Sequence, residues 1–413
     1  MAVLAGEAAA RRVQELSERG RKIVRFEKSV RPIIEDVRVH GDRALRKYAG
    51  RWDGLPSRKS LRVTPEEMQS AWESLSRRSR AALRRAASRV RQFCTWQMPA
   101  QWMRSKNGIR LGQVIRPLES AGCYVPGGLY PLPSTLLMTV IPAQVAGVAA
   151  IRVTSPNPQP ATLGAAEMLG VREFYRVGGA QAIAALAYGT ESIPRVQKIV
   201  GPGNTYVTAA KKLVAFDCSI DMLAGPTEAI VLLEAGNPTF IASDLVAQAE
   251  HDPQAIPVFL TASRKLAQAV ALKINSLVSR NATARRAWRN NGCVLLANSH
   301  AQAIAWANQI APEHITVGRN DVARVEAAGS IFVGDYSAQP AGDYASGPNH
   351  VLPTNGSARY RGGLSVLDFL KVVTVQELTP TGAKSLAATV IQMAELEGLK
   401  AHAESIRVRC NHA

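Results

Sequence analysis

The residues that concentrate most chemistry in least chain are Gln248-Ala249-Glu250-His251-Asp252-Pro253. Gln248 and His251 are three apart, so on a helix they share one face. An imidazole nitrogen and a neutral amide oxygen on one face make half of a divalent-cation site. The helix carrying them is predicted to start near Ser243 and to stop at Pro253, which cannot continue it. An ordinary helix C-terminus would look the same, because a histidine cation suits the negative end of the dipole. The pair needs partners from elsewhere in the chain.

Three other stretches offer them. Ala311-Pro312-Glu313-His314 sets a carboxylate beside an imidazole. Histidine is the side chain best suited to take a proton near neutral pH, and a neighbouring Glu can activate water in a second step. A helix start with Pro in its first turn reads equally well here. Within Gly342-Asp343-Tyr344-Ala345-Ser346-Gly347-Pro348-Asn349-His350, Asp343 offers a hard oxygen and His350 a donor or further ligand. An Asx turn in a Gly-rich loop is the plainer reading. Glu397 and His402 are five apart on a C-terminal helix, where solvated side chains are the plainer reading.

No GxGxxG is present. Gly178-Gly179-Ala180-Gln181 and Gly201-Pro202-Gly203-Asn204 are the Gly-rich turns nearest to a dinucleotide signal. Each follows a strand-like run and precedes a helix, where backbone N–H groups can meet a pyrophosphate. On spacing alone plain strand-to-helix turns are the preferred reading, since glycine is a usual turn residue.

The elements that must position these residues alternate. Residues 1–110 read as helical, with Thr64-Pro65-Glu66-Glu67 as an explicit helix start. From Gly112 short apolar runs and helices follow one another: strands at Cys123–Val125, Ala149–Val153 and Glu173–Val177, with helices between. A second such block runs from about Ile220, with Ala229–Leu233 as a buried strand. This pattern predicts parallel sheets with helices on both faces. The expected fold is α/β, two Rossmann-like domains with helical N-terminal and C-terminal segments. The Pro/Gly-rich region 338–363 is expected to be a loop too long to be mere connection, functional or disordered, and Ala383–Ile406 one helix broken near Gly398.

Length and composition narrow the class. The 413 residues can build two or three cores, and 46% hydrophobic with 20% charged residues is ordinary for a globular protein. No apolar run reaches the roughly 20 residues that span a bilayer, and no basic-then-apolar leader opens the chain. Five scattered cysteines without a CxxC pair suit a reducing cytoplasm. Of the net charge of +18, residues 1–120 hold 27 Lys/Arg against 12 Asp/Glu. Such a surplus can mark nucleic-acid binding, but no nucleic-acid motif accompanies it, and Arg-rich solvated helix faces are the preferred reading.

Taken together, the motif stretches resemble the histidinol dehydrogenase family. The strings are YVPGG at 124–128, GGAQAIAALAYGT at 178–190, VGPGNTYV at 200–207, AGPTE at 224–228, QAEHDP at 248–253, APEH at 311–314, GDYASGPNHVLPT at 342–354 and EGLKAH at 397–402. They stand in the family's order across about residues 25 to 410. The resemblance implies a zinc site of Gln248, His251, Asp343 and His402, with Glu313 and His314 as proton acceptors. It implies substrate contacts from Thr227, Gln248, His251, His314, Asp343, His350, Glu397 and His402, and NAD contacts from Tyr124, Gln181 and Asn204. Many members carry Ser where this chain has Thr227; both supply a hydroxyl.

The implied activity is zinc- and NAD-dependent oxidation of L-histidinol to L-histidine. The implied assembly is a homodimer whose C-terminal tail crosses to the partner. The implied division is 1–25 as a helical segment, 26–122 with 229–366 as the metal- and substrate-binding domain, 123–228 as the NAD-binding domain, and 367–413 as the helical tail. A dehydrogenase of another small alcohol, and a non-catalytic nucleic-acid-binding protein, are the competing readings.

Overall fold

The computed structural model describes residues 3–19, 24–127 and 131–411. Gly128 of the YVPGG string lies outside the described residues. Two compact units emerge: Met1–Gln97 with Glu119–Phe369, and Met98–Leu118 with Leu370–Ala413.

The larger unit holds two parallel sheets. One has five strands in the order Glu173–Tyr175, Ala150–Thr154, Ser120–Tyr124, Lys198–Val200, Ser219–Ile220. The other has six, in the order Val3–Ala5, Cys293–Leu296, Ile256–Thr261, Glu228–Leu232, His314–Val317, Ser330–Val333. The α/β reading with two Rossmann-like sheets therefore holds.

The unbroken apolar run at 229–232 is explained by burial on both faces, as parallel sheets require. Ile230, Leu232, Val258 and Leu260 pack on one side, with Trp306 and Ile310. Ala229, Val231 and Phe259 pack on the other, with Leu245, Val270 and Ile274. Around the five-stranded sheet the core is helix on helix: Val30, Leu45 and Tyr48 of the helix Val24–Trp52 meet Ile183, Leu186 and Val207. The apolar stripe of the helix Val24–Trp52 packs against the helices Gly179–Tyr188 and Thr205–Val214.

The helix start at Thr64 is realised as a reciprocal capping box. Glu67 N donates to Thr64 Oγ1 at 3.3 Å, and Thr64 N donates to Glu67 Oε2 at 3.0 Å. On the helix Arg77–Trp96, Arg77, Arg78, Arg84, Arg85, Arg89 and Arg91 are exposed while Ala87, Val90 and Cys94 are buried. Much of the N-terminal charge is thus a solvated helix face.

Three expectations need correcting. Residues 98–110 are not helical: Trp102–Lys106 and Ile109–Pro117 form a hairpin, joined by Leu370–Leu378 into a three-stranded antiparallel sheet. Its turn is Asn107-Gly108, both with positive φ (51° and 76°), the conformation that an Asn-Gly hairpin needs. The tail expected from 367 as helix therefore opens with a strand, and its helices are Pro380–Leu396 and Lys400–Asn411, separated at Gly398 (φ 74°). The region 338–363 is no uninterrupted loop: Gln339–Tyr344 is a short helix.

Candidate active site

The amino-terminal edge of the six-stranded sheet gathers most of the chemistry. Glu228 and His314 each begin a strand, and the register sets His314 against Ala229 and Ser330. The helix His300–Ile310 ends at Ala311 in the left-handed region (φ 52°), and the chain turns through Pro312 into Glu313 and His314.

Glu313 Oε2 accepts a hydrogen bond from Glu228 N at 3.0 Å and lies 3.7 Å from His314 Nδ1. His314 Nε2 lies 3.5 Å from Asp343 Oδ1. Only 2% of His314 is exposed, and neither ring nitrogen has a hydrogen-bond partner. Buried polar atoms are rarely left so. Its ring stacks on Phe332, with centroids 5.8 Å apart.

Asp343 stands on the helix Gln339–Tyr344, which Gln339 pins to the sheet by donating to Thr316 Oγ1 at 3.1 Å. Asp343 Oδ2 accepts from Gln248 Nε2 at 2.9 Å, and the carbonyl of Asp343 meets His350 Nδ1 at 2.7 Å. His350 Nε2 reaches Thr135 Oγ1 at 3.4 Å, and Asn349 donates to Met138 O at 2.7 Å. The loop thus leans on the helix Pro133–Ala146 of the five-stranded half.

The helix carrying Gln248 spans Pro238–Ala249 with Asn237 as its cap, earlier than the expected start at Ser243. It also ends earlier, at Ala249, so His251 lies just past it rather than on a helical face. Its final turn survives as the contact from His251 N to Gln248 O at 3.4 Å. His251 is exposed on the rim of a cavity of about 950 Å³ that Tyr344, Arg85 and Arg89 also line. A second cavity of about 380 Å³ brings His314, Phe332 and His350 together.

The electrostatics divide these groups. Burial pushes the Glu313 carboxyl from 4.5 up to about 8, against the pull of His314. Burial alone would lower His314, but the neighbouring Glu313 and Asp343 raise it. Burial would likewise raise Asp343, yet His314, with His350 and His251 nearby, holds it below the usual carboxylate value. Burial lowers His350 despite Asp343.

For a cation, the donors present here are the Gln248 amide, the Asp343 carboxylate held ionised, and His251. All lie where a helix C-terminus presents its negative end, which favours positive charge. Among the described residues no three His, Cys, Asp or Glu side chains gather as a ligand set. The donor types fit a zinc ion, and a full tetrahedron takes a donor from outside this cluster. His402 and Glu397, the remaining expected residues, belong to the smaller unit, where both are exposed. Thr227 is half-buried directly before Glu228, and its carbonyl accepts from Ile256 N at 2.8 Å.

The expected nucleotide residues lie at carboxyl ends of the five-stranded sheet. Ser120–Tyr124 and Lys198–Val200 are neighbours there, the point where strand order reverses and where such sheets bind ligands. Tyr124 Oη accepts from Gly179 N at 3.1 Å. Gln181 is fully buried: its Nε2 donates to Asp53 Oδ2 at 3.4 Å, and its Oε1 has no partner. Asn204 caps the helix Thr205–Val214, accepting from Tyr206 N at 3.0 Å and Val207 N at 3.1 Å.

Sequence reasoning missed Arg19, Asp53 and Glu228. Arg19 closes a buried pair with Glu228 and donates to Ile310 O at 2.9 Å. Glu228 lay inside the AGPTE string, but nothing local set it apart from an ordinary strand start. Arg19 and Asp53 matter only through contacts made 209 and 125 residues away.

Comparison with known proteins finds matches over most of the chain. The family model described as histidinol dehydrogenase matches residues 16–410. A histidinol dehydrogenase of Methanothermobacter thermautotrophicus is 46% identical, over 97% of this chain and 97% of its own. One of Bacillus subtilis is 43% identical, over 92% of each chain. The crystal structure of histidinol dehydrogenase from Elizabethkingia anophelis is similar with a TM-score of 0.90 at 35% identity, covering 94% of this chain and 92% of that one.

Proposed function

The chain belongs to the histidinol dehydrogenase family, and from that premise we propose that it oxidises L-histidinol to L-histidine through L-histidinaldehyde, the last step of histidine biosynthesis. The observation that carries this reading is His314: a buried imidazole with both nitrogens unpartnered, between Glu313 and Asp343.

Gln248, His251 and Asp343, completed by His402, would hold a zinc ion, and Tyr124, Gln181 and Asn204 would hold NAD. When bound, the zinc ion orients the substrate's imidazole and amine, and NAD takes up the hydrides. Neutral His314 takes the hydroxyl proton as the first hydride leaves, giving the aldehyde. Glu313, once ionised, takes a proton from the water that adds to that aldehyde. The hydrate then gives up a second hydride and a proton, so one alcohol and one water yield one carboxylate and two reduced nucleotides. His350 and the Thr227 hydroxyl complete the polar lining, and Glu397 meets the substrate's cationic end. Burial keeps the reactive aldehyde from solvent.

In this reading 123–228 is the nucleotide-binding part, and 229–366 with 26–122 supplies the metal and substrate site. The chain acts as a cytoplasmic homodimer, with the tail of one copy serving the site of the other. No described helix is long and apolar enough to cross a membrane. The test is NAD reduction with L-histidinol, counting NADH formed per substrate, before and after chelation. Two NADH per histidinol, lost with the metal and restored by zinc, are expected. No NAD reduction at any metal content would overturn the proposal.

A further inference from the structure

Behind the nucleotide edge lies a buried ion pair that the reaction does not use. Lys211, on the helix Thr205–Val214, pairs with Asp221, and their side chains are 1% and 0% exposed. Both also grip Gly201. Lys211 Nζ donates to Gly201 O at 2.9 Å, and Gly201 N donates to Asp221 Oδ2 at 2.7 Å. Met222 N donates to Asp221 Oδ1 at 2.5 Å. Gly201 has a φ of 114°, and a Cβ there would collide with the carbonyl of Tyr124. Both backbone groups of one residue are therefore fixed by charge, with Tyr124 on one side and the Asn204 cap on the other. The same helix holds the next motif: Thr208 Oγ1 donates to Ala224 O at 2.7 Å.

A buried ion pair is a poor source of stability, since well-packed apolar residues of similar volume often do as well. What apolar residues cannot do is hold one residue by its backbone N–H and its C=O at once. We propose that Lys211 and Asp221 are a positioning pair: they clamp Gly201 so that Tyr124 and Asn204 stand ready at the spacing a dinucleotide requires. Neither residue touches nucleotide or substrate. The inference rests on the nucleotide reading given above, and it gives the buried charge a reason to be there.

The test replaces the pair by packing alone, as Lys211→Met/Asp221→Leu in the full-length chain. The variant should still fold but melt at a lower temperature, because no charge is left unpaired while Gly201 N, Gly201 O and Met222 N lose their partners. The KM for NAD should rise about tenfold or more, while the KM for L-histidinol and the kcat at saturating NAD change by less than about threefold. A stable double variant with an unchanged KM for NAD would show the pair to be merely structural. Asp221→Asn keeps the side-chain shape but removes the counter-charge of Lys211, and it should weaken NADH binding, read by NADH fluorescence titration. If the double variant does not fold, Asp221→Asn decides: an NADH affinity equal to the parent's overturns the inference. Because that titration needs no turnover, a parent chain that binds NADH but does not oxidise L-histidinol sinks the proposed reaction without sinking the clamp.

Discussion

At the scale of single residues, the decisive contrast is between two buried carboxylates of the same cluster. Asp343 faces His314, His350 and His251 and stays ionised. Glu313 has less help, and burial raises it to about 8. One is suited to hold a cation and the other to exchange a proton near physiological pH. The sign follows directly. Glu313 binds its proton below about pH 8, so its basic form grows as pH rises. Turnover to the carboxylate should therefore climb through that range. In Glu313→Gln this limb should vanish, and NADH per histidinol should fall below two as aldehyde persists, measured with an aldehyde trap. A Glu313→Gln profile identical to the parent's would remove Glu313 from the reaction. Linkage gives a second sign: the folded state holds a proton that the unfolded state releases above about pH 4.5, so this residue's contribution to stability declines as pH rises toward 8.

At the scale of elements, the six-stranded sheet offers its amino-terminal edge where the five-stranded sheet offers its carboxyl edge. Parallel sheets ordinarily bind ligands at the carboxyl edge. The exception has an electrostatic reason: helix C-termini collect at the amino edge, and their negative ends suit a cation. Glu228 makes the edge costly, because its carboxylate is buried and needs neutralising. Arg19 does this from the N-terminal segment. Removing it leaves an uncompensated buried charge, so Arg19→Met should destabilise the chain by roughly 3–5 kcal/mol. A melting temperature unchanged within a degree would show that Glu228 is neutralised by something else. The element-level misreadings have equally local causes. The Gln248 helix begins at Asn237-Pro238, a cap and a first-turn proline that are legible once weighed together. The Asn107-Gly108 hairpin carried its own signal, hidden by the helical texture of the Arg-rich residues before it.

At the scale of the whole molecule, the expected site draws on both units. Glu397 and His402 stand exposed on the smaller one, on the flanks of Gly398. The proposed tail exchange makes a distinct prediction. His314→Ala and His402→Ala should each lose about a hundredfold or more in kcat as homodimers, in line with losing a proton acceptor or a metal ligand. Mixed and allowed to exchange, they should regain activity, because hybrid dimers keep one intact site. Hybrids shown by mass to form, yet inactive, would place His402 in its own chain's site.

The sequence by itself determined the fold class and the family, because apolar periodicity and eight ordered motif strings are local properties of the chain. It also named His314, Glu313, Asp343 and Gln248, which the fold brings into contact from 95 residues apart. It could not tell that Glu313 would be pushed up by burial while Asp343 stayed low, nor that Arg19 would serve Glu228, nor that Lys211 and Asp221 would clamp Gly201. Those are facts of desolvation and of partners distant in sequence. Only tertiary packing decides which charges lose their water and what replaces it.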